Sequence, residues 1–385
     1  MERRQFIKLS SIATTTGLVP SPFLWGGGVK DAGKQAETIN FTTDGLGLDP
    51  REYTSLLSQL AAETKINADY YSRGGAVDEL EQQFARLLGK ESAVFMPTGT
   101  LANHIAVRKL TGDNRRVLVQ AESHLYNDSG DCAEVMSGLN LIPLAPGQAT
   151  LTLDEVRGWV ERTSSGRVET KIGVISIESP VRRKRHELFD FEEMNKISVY
   201  AHEHGIKLHL DGARLFNVPQ HSGRKIEEYT ALFDTVYVSL WKCFNAASGA
   251  MLAGSKQFTE GLYHVRRMFG GSLPQAWPLI AVAARYAESY LTAYAGAWET
   301  ADGLLSILQK DDRFKVEKIP NGTSIFKMGV TGIASERFLQ RLRVRNIILS
   351  PPDRNGGTFW MTVNTTLNRV KPEDLADRFL RAAAA

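Results

Sequence analysis

Two short apolar runs near the middle of the chain each lead to a residue that can do chemistry. The first run, Ile206 to Leu210, alternates apolar and polar residues and ends at Asp211. The second run, Thr235 to Leu240, is rich in β-branched and aromatic residues and is followed by Lys242. Both patterns are typical of β-strands, and in open α/β sheets ligands bind beyond the carboxyl ends of the strands.

An acid and a lysine at two strand ends fit the requirements of a pyridoxal phosphate enzyme. The lysine amine forms a Schiff base with the cofactor, and the carboxylate keeps the pyridine nitrogen protonated, so that the ring can accept electrons from a breaking bond. Taken singly, Asp211 before a glycine is typical of a turn, and Lys242 is typical of an exposed loop. The pair becomes specific only together with further motifs.

A second motif lies upstream of this pair. The apolar run from Ser92 breaks at Pro97, and the sequence Thr98-Gly99-Thr100-Leu101-Ala102-Asn103 then predicts a helix that extends to about Leu110. Backbone N–H groups at a helix N-terminus bind phosphate, Gly99 allows close backbone approach, and Thr100 adds a hydroxyl donor. Gly99 and Thr100 are therefore candidates for binding the phosphate of the cofactor.

Both motifs carry a family resemblance. His209-Leu-Asp-Gly-Ala-Arg-Leu-Phe-Asn217 resembles the signature of the threonine aldolases, which belong to the β-eliminating lyase group of fold type I pyridoxal phosphate enzymes. Pro97 to Asn103 resembles the Pro-Thr-Gly-Thr-x-Ala-Asn motif of the same family. The resemblance implies that Asp211 meets the ring nitrogen, Arg214 lies near the phenolic oxygen, and Lys242 carries the cofactor.

His124 completes the predicted catalytic set. It follows a predicted strand, Arg116 to Gln120, at a point where the family has a histidine. The resemblance implies that this imidazole stacks on the pyridine face, and near neutral pH it could also act as a general base. The alternative is a purely structural histidine. Glu178, at the end of the apolar run from Ile172, also matches the family, whereas the residues after it depart.

The sequence departs from the family where the substrate is held. The family places an arginine for the α-carboxylate at the start of a late strand, and the matching run, Thr358 to Asn364, contains none. Tyr71 and Arg73 resemble a segment of the cystathionine-type lyases that holds the phosphate of the neighbouring subunit's cofactor. Either Arg73 or Arg354 is then expected to anchor the carboxylate, or the substrate is not an ordinary α-amino acid. Thr43, in the family's opening segment, is a further substrate-binding candidate.

The residues around the lysine also depart from the family. Trp241 stands where the family keeps a serine directly before the lysine, and Cys243-Phe244-Asn245 replaces a Gly-Leu-Gly sequence. The pocket is therefore expected to be more aromatic than is usual for the family. We assign no metal ligands to it.

Alternation of strands and helices from Ser92 to Ser255 predicts the fold class α/β, with a mostly parallel sheet covered on both faces. The resemblance implies the fold type I architecture, with a large pyridoxal-phosphate-binding domain at residues 37–275 and a small C-terminal α+β domain at residues 276–385. Strands and helices downstream of the lysine are expected as follows: helices at Phe258–Phe269, Ala276–Leu308, Ser335–Arg345 and Lys371–Ala382, and strands at Phe314–Ile319, Thr323–Met328 and Thr358–Asn364.

Composition excludes several other classes of protein. The chain has 385 residues, 43% hydrophobic and 23% charged, which predicts a globular protein of about two domains. No run of eighteen apolar residues is present, so no membrane span is expected. The net charge is +3, and the densest basic cluster, Arg182 to Arg185, is interpreted as a solvated loop rather than a nucleic-acid site.

Residues 1–28 are predicted to be a twin-arginine signal. Arg3 and Arg4 precede a mildly apolar stretch, two prolines and a Gly26-Gly27-Gly28 run. This order favours export, in a periplasmic or external location, over a basic and disordered cytosolic N-terminus.

The combined hypothesis is a pyridoxal-phosphate-dependent lyase of the threonine aldolase type, which cleaves the Cα–Cβ bond of a β-hydroxy-α-amino acid to glycine and an aldehyde. Two alternatives stay open: a β-eliminating lyase acting on C–S or related bonds, and a non-catalytic binding protein with the same fold. The resemblance implies a homodimer or homotetramer, because the cofactor site of this fold type lies between subunits.

Overall fold

The computed structural model describes residues 38–353 and 357–384. The predicted signal, residues 1–28, and the candidate Arg354 lie outside these residues, so both stay predictions. No helix in the described part of the chain is long and apolar enough to cross a membrane.

Twelve strands, β1 to β12 in chain order, occur in the described residues, and seven of them form one sheet. The strands are Ile39–Asn40, Ser92–Met96, Arg116–Gln120, Asn140–Leu144, Ile172–Glu178, Lys207–Asp211, Thr235–Ser239, Ala250–Gly254, Phe314–Lys318, Ile325–Val330, Ile347–Ile348 and Thr358–Thr362.

The large sheet has the strand order β2-β8-β7-β6-β5-β3-β4. Strand β8 pairs antiparallel with both of its neighbours, β2 and β7, whereas every other pair is parallel. Strand β2 therefore runs in the same direction as β7, and only β8 is reversed. The predicted α/β class and mostly parallel sheet are confirmed.

Because six strands point the same way, their carboxyl ends meet at one edge of the sheet, and this edge collects the predicted site residues. Glu178 and Asp211, the last residues of β5 and β6, are direct register partners. Asp211 is also the partner of Tyr237 on β7. Register partners project to the same face, so the three side chains form a row across the sheet.

Fifteen α-helices, α1 to α15 in chain order, are present in the same residues, and those between the strands of the large sheet cover it. They are Pro50–Glu63, Gly75–Leu87, Gly99–Thr111, His124–Asn127, Cys132–Ser137, Leu153–Ser164, Phe191–Glu203, Pro219–Ser222, Ile226–Thr230, Lys256–Thr259, Leu262–Met268, Trp277–Ala287, Tyr290–Leu308, Ser335–Arg343 and Pro372–Ala383. Helix α1 begins with a capping box, in which Asp49 accepts from the N–H of Glu52 at 2.9 Å and the Glu52 carboxylate accepts from the N–H of Asp49 at 2.9 Å.

The C-terminal region adds two small sheets. Strands β9, β10 and β12 form an antiparallel sheet in the order β12-β10-β9. Strand β1 pairs in parallel with β11, with Ile39 opposite Ile347 and Asn40 opposite Ile348. This pairing, which the sequence did not predict, fixes the segment that leads to Thr43 and Asp44.

Some predicted boundaries are wrong. The helix predicted at Phe258–Phe269 is two helices, α10 and α11, because Gly261 adopts a left-handed backbone with φ of 74°. The helical region predicted from about Ala276 to Leu308 is confirmed, and it consists of two helices, α12 and α13. Strand β10 begins two residues later than predicted, at Ile325, since the N–H of Thr323 donates to the carbonyl of His186 instead.

Gly99 has a packing role that the sequence did not reveal. A Cβ built at this position would overlap the Tyr237 hydroxyl, so helix α3 can approach β7 this closely only without a side chain there. The space that Gly99 provides is thus taken by a tyrosine of the sheet.

We therefore expect Gly99→Ala to lower the free energy of unfolding by about 1–3 kcal/mol, the usual cost of overpacking a close-packed site. The control is Gly158→Ala in helix α6, where an added Cβ meets nothing within 4 Å and alanine should be neutral or stabilising by up to about 1 kcal/mol. Urea unfolding of both variants measures the difference. Equal effects at the two positions would contradict the packing role.

Candidate active site

A cavity of about 240 Å³ opens at the carboxyl edge of the large sheet, and we call it the inner cavity. It contains six of the predicted residues together: Lys242, Asp211, His124, Arg214, Gly99 and Thr100. The other lining residues are Thr98, Glu178, Arg182, Ala213, Tyr237, Trp241 and Ser248. The cavity therefore assembles residues that are up to 150 positions apart in the sequence, from Thr98 to Ser248 (248 − 98).

Asp211 is held by a chain of buried polar side chains. Asn103 of helix α3 donates to its Oδ2 at 2.5 Å, and the N–H of Ala213 donates to its Oδ1 at 3.1 Å. The Asn103 amide oxygen contacts His209 Nε2 at 2.9 Å, and His209 Nδ1 contacts the Thr235 hydroxyl at 2.8 Å. Burial lowers the pKa of His209 to about 4, so this imidazole is neutral and links the helix to two strands.

Lys242 follows β7 in a turn that buries its side chain at the cavity. Burial lowers the pKa of its amine, and the nearby charge of Arg214 lowers it further. The amine is therefore more readily deprotonated than an exposed lysine, which is the state that attacks a carbonyl carbon. A Cβ at Gly45 would overlap the Lys242 carbonyl oxygen, so a glycine lets the Asp44 segment pack directly on this turn.

Arg214 is held by Asp44 through two hydrogen bonds, from Nε to Oδ1 at 2.7 Å and from Nη2 to Oδ2 at 2.9 Å. Both side chains are at most 10% exposed. Burial, the largest single effect, would raise the pKa of Asp44, but the charge and hydrogen bonding of Arg214 and the other nearby basic groups together outweigh it and lower the pKa to about 2. The ion pair fixes the guanidinium at the cavity wall and connects it to the segment after β1.

His124 is the first residue of helix α4, and its backbone is anchored by Glu178. The N–H of His124 donates to Glu178 Oε2 at 2.6 Å, while the N–H of Arg182 donates to Oε1 at 2.8 Å. Burial lowers the pKa of the imidazole, whose Nδ1 lies 3.5 Å from the Ser129 hydroxyl. Burial and the neighbouring Asp211 raise the pKa of Glu178.

Helix α3 presents its N-terminus to the same cavity. The Thr98 hydroxyl accepts from the N–H of Leu101 at 3.2 Å, and the first backbone bond of the helix runs from Ala102 N to the Thr98 carbonyl. The N–H groups of Gly99 and Thr100 precede that bond and lie at the positive end of the helix dipole. The helix N-terminus that the sequence predicted therefore lies at the cavity, and its binding of phosphate stays a prediction.

Arg182 was interpreted from sequence as part of a solvated loop; it is exposed, but it also lines the inner cavity, which the sequence did not indicate. The segment forms a 3₁₀ turn, Arg182–Lys184, and Arg182 lines the inner cavity. Asp128 holds it there through an ion pair with its Nη2, with 42% of the Arg182 side chain exposed. No sequence signal distinguished it from Arg183, which binds the same carboxylate at 3.0 Å but does not line the cavity.

The other substrate-binding candidates lie elsewhere. Thr43 lines a second cavity beside the inner one, and its hydroxyl donates to the Gly45 carbonyl at 2.8 Å. Arg73 is exposed, with its guanidinium 4.5 Å from the ring centroid of Tyr263, and Arg267 lies 4.9 Å from the ring of Tyr71. Neither Tyr71 nor Arg73 lines the inner cavity, so their action at a neighbouring subunit's cofactor stays a prediction.

Comparison with solved structures confirms the fold type I architecture. A Listeria monocytogenes protein assigned as an L-allo-threonine aldolase superposes with a TM-score of 0.74 at 28% identity, covering 91% of this chain and 97% of that one. Serine palmitoyltransferase from Sphingomonas wittichii superposes with a TM-score of 0.63 over 90% of this chain, and at 17% identity this likeness shows the fold alone.

Sequence comparison gives the family. Residues 52–318 match the beta-eliminating lyase family, and since this span is more than half of the chain, the chain belongs to that family. The low specificity L-threonine aldolase of Saccharomyces cerevisiae is 28% identical over 225 residues, which are 58% of this chain and 57% of the yeast protein. That of Eremothecium gossypii is 30% identical over 223 residues, 57% of this chain and 56% of the relative. The chain thus spans little more than half the length of these relatives.

The buried ion pair gives a stability prediction. Asp44→Asn leaves the Arg214 charge buried without its partner, so we expect the free energy of unfolding to fall by about 3 kcal/mol. The folded pKa of Asp44, about 2, is below the ordinary value of 3.8, so the pair stabilises the fold fully above pH 3.8, and this contribution is lost as the pH falls toward 2. Chemical unfolding between pH 7 and pH 2 measures both effects.

The control for this variant is Glu192→Gln. It removes an exposed partner of Arg224, and exposed pairs contribute about 0–1 kcal/mol. If Asp44→Asn lowers the free energy of unfolding by no more than Glu192→Gln does, the buried pair does not stabilise the fold.

Proposed function

We propose that the protein is a pyridoxal-phosphate-dependent lyase of the threonine aldolase type, which splits a β-hydroxy-α-amino acid into glycine and an aldehyde. The observation that carries this proposal is the position of Lys242. Its buried amine, with a lowered pKa, shares one cavity with the Asp211 carboxylate, the His124 imidazole and a helix N-terminus. The names of the relatives and of the Listeria structure support the same reaction.

The lining of the inner cavity fits the chemical groups of pyridoxal phosphate one by one. The helix N-terminus at Gly99 and Thr100 suits a dianionic phosphate, and the carboxylate of Asp211, held by Asn103, suits a protonated pyridine nitrogen. Lys242 supplies the amine that attaches the cofactor. When bound, the cofactor supplies an electron sink for the electron pair that a breaking bond leaves on Cα.

Residues of the chain must then move the protons. His124 is predominantly neutral at pH 7, because burial lowers its pKa, and its Nδ1 is turned toward Ser129. We infer that Nε2 takes the proton of the substrate's β-hydroxyl group, so that the C–O bond becomes the carbonyl of the aldehyde as Cα–Cβ breaks. Lys242 Nζ, which takes a proton from the ammonium group of the incoming substrate, is the group that gives a proton to Cα and completes glycine, while the proton on His124 passes to solvent.

Arg182 can supply the positive charge for the substrate's α-carboxylate that strand β12 lacks. Its side chain lines the inner cavity and is held from behind by Asp128, so N–H groups not used by Asp128 can face an anion. Arg214, the other arginine of the cavity, already binds Asp44 through two hydrogen bonds. We propose that Arg182 binds the α-carboxylate of the substrate, in place of Arg73 or Arg354.

Product analysis tests the proposed reaction. The protein loaded with pyridoxal phosphate is expected to convert L-threonine or β-phenylserine to glycine and an aldehyde, and Lys242→Ala to lose at least about 10³-fold of this activity. The control is Lys196→Ala, an exposed lysine on helix α7. Pyruvate from a cysteine conjugate without glycine from threonine would favour the β-eliminating lyase. Cofactor binding without turnover of either substrate would favour the non-catalytic protein.

The role of Arg182 is tested by a pair of matched variants. Arg182→Ala is expected to raise KM for the amino acid by about 10–100-fold, equivalent to losing a charge-assisted hydrogen-bond pair, with a smaller change in kcat. Arg183→Ala removes the other arginine on Asp128 and should change KM by less than about threefold, because Arg183 does not line the cavity.

In both Arg182→Ala and Arg183→Ala, the affinity for pyridoxal phosphate, measured by absorbance titration, should stay within about threefold of the wild-type value. A selective loss of cofactor affinity in Arg182→Ala would place its guanidinium on the phosphate instead of the substrate.

A further inference from the structure

A second cavity, of about 500 Å³, lies beside the inner cavity, and we call it the outer cavity. Trp241 lines both cavities and so forms the wall between them. The apolar part of the outer lining comes from Leu48, Pro50, Tyr53 and Ala246. An apolar space that adjoins the reacting lysine is suited to a part of the substrate that takes no part in the chemistry.

The charged groups of the outer cavity are already bound to other parts of the protein. Asp44 holds the guanidinium of Arg214, and Asp49 caps helix α1 by accepting from the N–H groups of Arg51 and Glu52. A ligand in this cavity therefore meets carboxylates whose charge is compensated. Its favourable contacts are with rings and aliphatic side chains.

Trp241 is placed to contact the substrate directly. Its ring centroid is 4.9 Å from Lys242 Nζ, and 53% of the residue is exposed, which is unusual for a tryptophan. In an amino acid the substituent on Cβ begins about 3–4 Å from the amino nitrogen that exchanges with Lys242. A β-substituent thus reaches the indole ring, and a large one extends past it into the outer cavity.

The walls of the outer cavity are fixed before any ligand arrives. The Tyr53 hydroxyl donates to the Pro278 carbonyl at 3.1 Å and accepts from the N–H of Ala247 at 3.2 Å. The Asn245 amide oxygen accepts from the N–H of Leu46 at 2.7 Å, which joins the turn after Lys242 to the segment before helix α1. A preformed wall binds a rigid apolar group with little loss of conformational entropy.

We propose that the outer cavity is a subsite for an apolar β-substituent larger than methyl, best filled by an aryl group, and that Trp241 determines this specificity. The proposal rests on the proposed function, because it takes the substrate to be a β-hydroxy-α-amino acid bound at Lys242. It goes beyond that function in naming the side-chain class: β-aryl amino acids over threonine.

The kinetic test compares β-phenylserine with L-threonine in the holoenzyme. Wild type should show a higher kcat/KM for β-phenylserine than for L-threonine. Trp241→Ala should lower the ratio of these two kcat/KM values by about tenfold or more, whereas Trp241→Phe should largely retain the ratio. Ala247→Leu changes an exposed residue and fills the outer cavity, so it should also lower the ratio. Val344→Ala, which removes an exposed apolar side chain outside both cavities, is the control.

A binding test separates failure of the subsite from failure of the proposed reaction. L-Phenylalanine and L-alanine lack the β-hydroxyl group, so their binding to the holoenzyme can be measured by calorimetry without cleavage. Wild type should bind L-phenylalanine about tenfold more tightly than L-alanine, and Trp241→Ala should reduce this preference to less than about threefold. If this preference is found but no β-hydroxy amino acid is cleaved, the reaction is wrong and the subsite stands. The subsite is wrong if cleavage occurs but Trp241→Ala and Ala247→Leu leave the kcat/KM ratio unchanged and Trp241→Ala leaves the preference for L-phenylalanine unchanged.

Discussion

The site depends on keeping the Asp211 carboxylate in place at a buried strand end. A carboxylate removed from water needs hydrogen-bond donors, and here the Asn103 amide and the Ala213 N–H supply them. Asn103 can point its amide nitrogen at Asp211 because its oxygen is bound by His209. The same contacts fix helix α3 over the sheet, so the helix N-terminus and the carboxylate are positioned together.

Charge balance is the second constraint. Glu178 and Asp211 are neighbours across β5 and β6, and two buried carboxylates side by side repel each other, which contributes to the raised pKa of Glu178. The Asp44–Arg214 pair and the Lys242 amine lie in the same region. The ion pair anchors the segment after β1. Burial lowers the pKa of the Lys242 amine and the charge of Arg214 lowers it further, while Asp44 partly offsets the effect of Arg214.

The departures from the family lie on the substrate side of the site, whereas the cofactor side is retained. Trp241 lines both the inner cavity and the outer cavity, and Arg182 brings a positive charge from a turn after β5. Under the proposed function, these two residues contact the substrate, and the residues that would hold the cofactor are separate from them.

Local patterns were sufficient for the α/β class and for Asp211, Lys242, Gly99 and Thr100, because strand interiors are apolar and the motifs that follow them are short. Arg214 and His124, which share the inner cavity with them, were indicated only by the resemblance to the threonine aldolases. Only the tertiary structure decided which of two adjacent arginines faces the cavity, since Arg182 and Arg183 both bind Asp128 and the direction of the turn separates them. It also decided that Gly99 makes room for Tyr237, a contact between residues 138 positions apart (237 − 99) that no local pattern can encode.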